Sequence, residues 1–250
     1  VNAINDLLRR LADSLSAQQR FASDAAHELR TPLTALKLQV QLAQRAKTPE
    51  AQQKCFSRLN EGINRATRLV QQLLTIARLD PDASKKPMTT INLAELVKSV
   101  RDDMAPIAAQ KHIEITEDAR PAMLDGMEDA IRLMVTNLTD NAIRYTPEGG
   151  RIEITSSTEH GLSVLRVCDN GPGIAPEERS RVFDRFYRAL GTKTSGTGLG
   201  LAIVKRIVDI HHGTVAIEDG LDGRGTIFKL SFPPLGASSP HTAMTPTSHS

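Results

Sequence analysis

Apolar side chains recur at alternating steps of three and four residues through the first 80 positions, in two successive series. The first series is Ile4, Leu8, Leu11, Leu15, Gln18, Ala22, Ala25, Leu29, Pro32 and Leu36, and the second is Phe56, Leu59, Ile63, Ala66, Val70, Leu73 and Ala77. A repeat of about 3.5 residues is typical of helices that pack side by side along an apolar seam. Two helices bury only a thin core, and we therefore expect two copies of the chain to associate as a four-helix bundle.

The stretch AKTPEAQQ separates the two series and carries signals for a turn and a helix start. Thr48 has the side chain of an N-cap, and Pro49 would occupy the first helical position, where a backbone N–H has no helical partner in any case. The pattern predicts an antiparallel helical hairpin.

From about residue 85 the pattern alternates between helical and extended periods. Helices are predicted near 93–111 and 127–146, and short strands between them near 112–117 and 122–125. The strands RIEITSST and LSVLRVCD, the helix LGLAIVKRIVDIHH, and the strands GTVAIED and GTIFKLSF follow. This mixture favours a mixed sheet with helices on one face. The predicted fold class is therefore α+β, a helical hairpin followed by an α/β sandwich.

Composition and charge refine this picture. Aromatic residues make up 3% of the chain and Trp is absent, so the core must be aliphatic. Residues 1–86 carry 14 Lys and Arg against 8 Asp and Glu, and the remainder carries 17 against 21. The two parts could therefore have different partners, or the first helices could simply have a basic surface.

Cys55 and Cys168 lack metal-site spacing and fit reduced thiols in a cytoplasmic protein. No apolar run reaches the roughly 20 residues that span a bilayer.

The segment AAHELRTPLTAL, residues 25–36, places reactive side chains on the first helix. His27 lies two residues from a seam position on either side, about 200° around the helix, and is expected to be exposed. Glu28 can orient the imidazole and accept a proton from one ring nitrogen, leaving the other as a nucleophile. Thr31 follows one turn later, and Pro32 is expected to bend the helix. The alternative is an exposed histidine without a function.

A second candidate site lies in NLTDNAIRYTPEGG. Asn137, Asn141, Arg144 and Tyr145 share one helix face, and apolar residues take the other. An Asn carbonyl oxygen is a hard ligand that suits Mg²⁺, the Arg can reach phosphate, and the Tyr ring can pack on a base or ribose. The face suits a polyphosphate nucleotide, although a merely solvated helix face is the alternative.

The segment VCDNGPGIAPEE places a carboxylate, Asp169, at the end of an apolar strand. It can accept a hydrogen bond from an exocyclic amino group, which favours adenine over guanine. At Gly171 and Gly173 the backbone can come close to a ligand. Alone, this segment could equally be an ordinary turn.

The third glycine-containing segment, GTKTSGTGLGLAIVKR, places Gly196, Gly198 and Gly200 before a helix whose N-terminus attracts phosphate. It is not a P-loop, because no GK[ST] follows the glycines. Nor is it a Rossmann fingerprint, which would need a glycine at Leu201 and a preceding strand, and this argues against a dehydrogenase. The polar stretch 187–197 is predicted to be a mobile lid.

The order and separation of these motifs resemble the cytoplasmic catalytic portion of bacterial two-component sensor histidine kinases. HELRTPL resembles the H-box, NLTDNAIRY the N-box, DNGPGI the G1 box, VFDRFYR the F-box and GTGLGL the G2 box. The resemblance covers about residues 15–234. It implies a dimerisation and histidine-phosphotransfer domain followed by an ATP-binding sandwich of the type shared with gyrase, a heat-shock chaperone and MutL.

The resemblance also implies roles for residues. His27 would be the phosphoacceptor, Glu28 its activating base, and Thr31 the residue that orients water for dephosphorylating a partner. Asn141 would hold Mg²⁺, and Asp169 would bind the adenine amino group. The other nucleotide-binding residues would be Asn137, Arg144, Tyr145, Gly171, Gly173, Ile174, Gly196, Thr197, Gly198, Leu199, Gly200 and Leu201. Many members have Lys where this chain has Arg144.

The same resemblance implies the domain organisation. Residues 1–17 would be a signal-relay helix, 18–84 the dimerisation and phosphotransfer domain, 85–234 the ATP-binding domain and 235–250 a disordered tail. Because the chain begins with Val1 within a helical pattern, we expect a fragment of a longer polypeptide. That polypeptide would be an inner-membrane protein, anchored through a missing N-terminal region, whose cytoplasmic portion is this sequence.

The implied activity is ATP-dependent autophosphorylation of a histidine and transfer to an aspartate of a response regulator, with phosphatase activity toward that regulator. ATP and Mg²⁺ would be the cofactors. The partners would be a second copy of the chain and a receiver domain, with no nucleic acid. The alternatives are an ATPase of the same fold without phosphotransfer, and a dimeric scaffold that only binds nucleotide.

Overall fold

The structure is a computed structural model that describes residues 2–78, 88–188, 197–220 and 223–235. The chain divides into two compact units. The helical unit comprises residues 1–80 together with 195–199, and the sheet unit comprises residues 81–194 together with 200–250. Among the described helices, none combines the length and the apolar character needed to cross a bilayer.

The helical unit is the predicted hairpin. Helix α1 runs over Asn2–Arg45 and continues through Pro32, and helix α2 runs over Pro49–Arg78. The N-terminus of α2 is capped as the sequence predicts, because Thr48 Oγ1 accepts a hydrogen bond from the backbone N–H of Ala51 at 3.3 Å. The helical N-terminal region is therefore confirmed.

The interior of this hairpin differs from the predicted seam. Among the hairpin residues whose burial is described, the buried apolar side chains are Ala43, Leu69 and Ile76, and the last two lie one position before seam residues. Phe56, Ile63 and Val70 of the seam remain 41–50% exposed. The reason is geometric: a helix in a bundle has two apolar faces, and a single hairpin covers only one of them.

The sheet unit is the predicted mixed sheet with helices. Its elements are β1 (Thr89–Asn92), α3 (Leu93–Ala109), β2 (Glu114–Ala119), β3 (Met123–Gly126), α4 (Glu128–Tyr145), β4 (Arg151–Glu159), β5 (Leu162–Asp169), α5 (Gly200–Ile210), β6 (Thr214–Asp219) and β7 (Thr226–Phe232). The five-stranded sheet has the order β2–β4–β5–β7–β6. Only β2 and β4 pair in parallel; the other neighbours are antiparallel.

The core of this unit lies between the sheet and helices α3, α4 and α5. In β4 and β7 buried and less buried residues alternate, as expected for strands with one covered face. Aliphatic side chains fill most of the layer; fully buried members include Leu93, Ile131, Leu138, Ile152, Ile154, Leu165 and Ile203. The composition predicts a purely aliphatic core, but Phe228 and Phe232 of β7 are buried as well.

Strand β1, which pairs with β3 in a small antiparallel sheet, was not predicted from the sequence. Its four residues, TTIN, bury one side chain, Ile91. A strand this short carries too few alternating positions for its pattern to predict it.

Candidate functional site

The first candidate site lies on α1 of the helical unit. The side chain of His27 is exposed and that of Glu28 is half-buried. Exposure of His27 agrees with its predicted position away from the seam. The hydroxyl of Thr31, one turn later, is 3.5 Å from the carbonyl oxygen of His27 and donates to it. The histidine is thus accessible to a reactant, and the threonine hydroxyl lies within one helical turn of it.

The second candidate site begins on α4 of the sheet unit. The predicted polar residues Asn137, Asn141, Arg144 and Tyr145 are all half-buried along one side of the helix. The apolar residues predicted for the opposite side are buried, as Ile131, Val135, Leu138 and Ala142 show. The helix therefore presents its amides at the edge of the core, where a ligand can reach them.

Asn137 lies against the start of α5. Its side-chain amide donates to the carbonyl oxygen of Leu133 at 2.8 Å, which fixes the rotamer. Its Oδ1 would be 3.2 Å from a Cβ at Gly200, the first residue of α5. A glycine at this position therefore lets the N-terminus of α5, which attracts anions, lie close to the amide.

Arg144 is held along its own helix. Its guanidinium pairs with the carboxylate of Asp140, four residues earlier, at 2.9 Å. Such partly exposed pairs contribute only about 0.3–0.5 kcal/mol, so the guanidinium can exchange this carboxylate for a phosphate. Asp140 was not among the residues predicted from the sequence, although an acid four residues before an Arg is a recognisable pair on a helix.

Asp169 is the last residue of β5, and its side chain is buried, with 5% exposure. Burial raises the pKa of the carboxyl group, and the backbone N–H groups of Gly171 and Thr226 oppose that rise. The Gly171 N–H donates to Oδ1 at 2.9 Å. These two bonds orient the carboxylate as an acceptor in a largely dry environment, which suits recognition of an amino group.

Glycines pack closely around Asp169. A Cβ at Gly171 would lie 2.9 Å from Asp169 Oδ1 and 3.0 Å from the carbonyl oxygen of Tyr145. Gly173, with φ of +80°, faces Gly225 across a similar gap. Gly225 is the most crowded, because its Cβ would lie 1.8 Å from the Asp169 carbonyl oxygen. Gly225 and Thr226 were not predicted from the sequence, although the GRGT segment at the start of β7 was a usable signal.

Arg179 is a further residue near the candidate site that was not predicted from the sequence. Its Nε donates to the carbonyl oxygen of Ile174 at 3.1 Å, and its Nη1 donates to that of Ile217 on β6 at 3.4 Å. Its Nη2 pairs with the carboxylate of Asp219. Arg179 thereby ties the loop that contains the predicted residue Ile174 to the edge of the sheet.

The last predicted segment is described only in part, because Gly196 lies outside the described residues. Thr197 Oγ1 accepts a hydrogen bond from the N–H of Leu199 at 3.3 Å. Gly198 has φ of +69°, a conformation that favours glycine. Leu199 is buried, and Leu201 is half-buried in the first turn of α5.

The side-chain amide of Asn141 is the donor of the sheet unit that suits Mg²⁺, because its oxygen is a hard ligand and Mg²⁺ commonly takes its other ligands from phosphate and water. Among the described residues, no three His, Cys, Asp or Glu side chains form a cluster that could hold an ion.

Comparison with known proteins finds two family matches along the chain. Residues 17–82 match the His Kinase A (phospho-acceptor) domain. Residues 126–236 match the family described as Histidine kinase-, DNA gyrase B-, and HSP90-like ATPase. In solved structures, the catalytic domain of the histidine kinase ThkA is 30% identical, with a TM-score of 0.54, and the match covers 59% of this chain and 96% of that one. The chain belongs to the sensor histidine kinase family.

Other members of the sensor histidine kinase family match more of the chain. The sensor protein kinase PmrB of Pseudomonas aeruginosa is 41% identical over 234 residues, which are 93% of this chain and 49% of PmrB. The crystal structure of ThkA in complex with the response regulator protein TrrA has a TM-score of 0.70 at 25% identity and covers 90% of this chain and 64% of that one. The chain spans about half the length of the curated relatives that it matches.

Proposed function

We propose that this chain transfers the γ-phosphoryl group of ATP to His27 and then to an aspartate of a response regulator. The observation that carries the proposal is the presence of two complementary sites in one chain. One is an exposed histidine in a region that matches a phosphoacceptor domain. The other is a buried, N–H-oriented carboxylate, Asp169, in a region that matches an ATPase.

In the proposed nucleotide site, Asp169 accepts a hydrogen bond from the adenine amino group. Tyr145 packs on the nucleoside, and Asn137 and Arg144 contact phosphate, the latter after leaving Asp140. Asn141 would hold Mg²⁺, which when bound neutralises charge that develops on the phosphates. The remaining residues line the nucleotide through their backbone or small side chains: Gly171, Gly173, Ile174, Gly196, Thr197, Gly198, Leu199, Gly200 and Leu201.

In the proposed reaction, one ring nitrogen of His27 attacks the γ-phosphorus in line with the bond to the β,γ-bridging oxygen. The N–P bond forms as that O–P bond breaks, and ADP leaves. Glu28 orients the ring and takes the proton from the other nitrogen. The phosphoryl group then passes to the partner's aspartate, and Thr31 orients the water that later hydrolyses the acyl phosphate.

The partners and the domain limits belong to the same proposal. A homodimer would cover the apolar positions that the hairpin leaves exposed, and 18–84 and 85–234 would be the phosphotransfer and ATP-binding domains. The complex of the related ThkA with a response regulator protein supports a receiver domain as partner. The names of the relatives as sensor proteins support an inner-membrane protein with this sequence as its cytoplasmic portion.

The test is incubation of the wild type and His27→Gln with γ-labelled ATP and Mg²⁺. We expect an acid-labile, base-stable label on the wild type and none on His27→Gln. His160→Gln, which changes an exposed histidine of the sheet unit, is the control and should retain the label. Hydrolysis of ATP without label would instead indicate an ATPase, and nucleotide binding without turnover would indicate a scaffold; either result contradicts the proposal.

A further inference from the structure

Lys111, in the connection between α3 and β2, binds the C-terminal end of α4. Its Nζ donates to the carbonyl oxygens of Ile143 at 2.7 Å, Thr146 at 3.0 Å and Arg144 at 3.2 Å. The last carbonyl groups of a helix have no partner within the helix. The three N–H donors of this ammonium group therefore bind three carbonyl oxygens at the end of the helix. Its positive charge also interacts favourably with the negative end of the helix dipole.

The backbone of the same connection holds the turn that follows α4. The N–H of Gly149 donates to the carbonyl oxygen of Lys111 at 3.2 Å, and the N–H of Glu114 donates to that of Gly150 at 3.1 Å. Side chain and backbone thus attach both the end of α4 and its following turn to the α3–β2 connection. A movement of this helix end would break several hydrogen bonds together.

The helix end that Lys111 holds is part of the proposed nucleotide site. The last turn of α4 carries Arg144 and Tyr145, and Asn141 precedes it by one turn. The carbonyl oxygen of Tyr145, which Lys111 does not bind, faces Gly171, where a Cβ would be only 3.0 Å away. The position of this helix end therefore sets the distance between the amide face of α4 and the loop that orients Asp169.

We propose that Lys111 is a positioning residue for the nucleotide, acting through the C-terminal end of α4. The inference rests on the proposed function, because it assigns Lys111 a role in binding ATP. Three acceptors that converge on one nitrogen suit an ammonium group. A planar guanidinium, with its donors spread over a fork, does not fit the same point.

The experiment measures two properties of each variant: affinity for a non-hydrolysable ATP analogue with Mg²⁺, and the unfolding midpoint without nucleotide. Lys111→Met removes the charge and the donors but keeps an apolar stem. Lys111→Arg keeps the charge. Lys98→Met, at an exposed position of α3, is the matched control. The rate of autophosphorylation is also measured as a function of ATP concentration.

We expect Lys111→Met to weaken nucleotide binding roughly tenfold to a hundredfold, as small displacements of positioning groups do. The KM for ATP should rise by more than kcat falls. Lys111→Arg keeps the charge at the helix end but not all three hydrogen bonds, so it should lose less stability than Lys111→Met and still bind the nucleotide several-fold more weakly. Lys98→Met should match the wild type in both properties.

Two outcomes would overturn the inference in different ways. If Lys111→Met has a lower unfolding midpoint but binds within twofold of the wild type, Lys111 only stabilises the fold. If Lys111→Met does not fold, wild-type affinity in a folded Lys111→Arg leads to the same conclusion. Failure of the wild type itself to bind the analogue would overturn the proposed function, and this inference with it.

Discussion

At the scale of single residues, the carboxylate of Asp169 in the sheet unit is bound by backbone N–H groups. Asp169 is buried, yet it accepts hydrogen bonds from the N–H groups of Gly171 and Thr226. A buried carboxylate without such donors would be strongly disfavoured in its charged form. The two N–H groups therefore allow a charged acceptor in the place where an adenine amino group would bind.

We predict that Asp169→Asn lowers the affinity for ATP about tenfold to a hundredfold, the range for losing a hydrogen bond to a charged group. The Asn keeps the shape but loses the charge, and its NH₂ group, which replaces one of the two carboxylate oxygens, cannot accept a hydrogen bond. Titration with ATP and GTP analogues measures the effect, and the preference for adenine should fall. Asp118→Asn, at an exposed position of β2, should change neither affinity. Equal ATP affinity in Asp169→Asn and the wild type would contradict the assignment.

A second residue-scale prediction concerns Gly225, with φ of +82° and almost no space for a Cβ. Gly225→Ala should lower the free energy of unfolding by about 3 kcal/mol or more, because overpacking adds to backbone strain. Gly223→Ala isolates the strain, since Gly223 has φ of +73° and nothing within 4 Å of its Cβ position. We expect Gly223→Ala to lower the free energy of unfolding by about 1 kcal/mol. Both variants are measured by denaturant titration. Equal losses in the two variants would show that the contact with Asp169 adds nothing.

At the scale of elements, helix α4 is held at both ends by side chains distant in sequence. Lys111 binds its C-terminal carbonyl groups, and His211 binds its N-terminal boundary residue, Met127. His211 Nε2 accepts from the Met127 N–H at 3.0 Å, so Nδ1 carries the proton and donates to the Ile207 carbonyl oxygen at 2.7 Å. This histidine thereby connects α4 to α5.

The buried histidine makes the stability of the sheet unit depend on pH. Burial lowers the pKa of His211 below 6.5, with a smaller contribution from His212, and the unfolded chain therefore binds the proton more readily. The contribution of His211 to the free energy of unfolding is therefore fully present above about pH 6.5, and it is lost as the pH falls below that value. We predict a fall in the free energy of unfolding from pH 7 to pH 5, measured by urea titration.

His211→Gln should flatten that dependence, because the amide can replace both hydrogen bonds without titrating. His160→Asn, at an exposed turn, should leave it unchanged. A His211→Gln slope as steep as that of the wild type between pH 7 and pH 5 would contradict the prediction.

Glu159 makes stability depend on pH in a second, lower range. Arg166 is the main reason that the pKa of Glu159 falls to about 2 in the folded protein. The contribution of Glu159 to the free energy of unfolding is therefore lost only below about pH 4.5.

At the scale of the whole molecule, one hairpin leaves an apolar stripe uncovered. Phe56, Ile63, Val70 and Leu74 of α2 are each at least 41% exposed and recur at steps of seven, seven and four residues. A regular apolar stripe on a helix is typical of a surface that packs against further helices. The stripe therefore supports the proposed homodimer.

We predict that Ile63→Glu converts a dimer into a monomer at micromolar concentration, as measured by sedimentation equilibrium. Burying an unpaired carboxylate in a helix–helix interface costs several kcal/mol. Gln71→Glu adds the same charge next to the stripe and should remain dimeric. A dimer of Ile63→Glu, or a monomeric wild type, would contradict the proposed association.

The sequence predicted most of the elements and the residue types of the site, because those signals are local. Alternating apolar residues identified β6 and β7, and a three-and-four repeat identified α1 and α2. The apolar run of β5 also placed Asp169 at a strand end. The pattern of apolar residues did not predict β1, because that strand is too short. It also did not identify the buried face of the hairpin, because its helices have two apolar faces.

The sequence by itself determined which chemical groups this protein carries, on which elements most of them lie, and the family to which they belong. Only the tertiary structure decided their partners. Lys111 donates a hydrogen bond to the carbonyl oxygen of Ile143, which is 32 residues away in the sequence. His211 accepts one from the N–H of Met127, which is 84 residues away. Periodicity reports the direction of a side chain relative to its own element, whereas a hydrogen bond depends on the distance between atoms that the folded chain brings together.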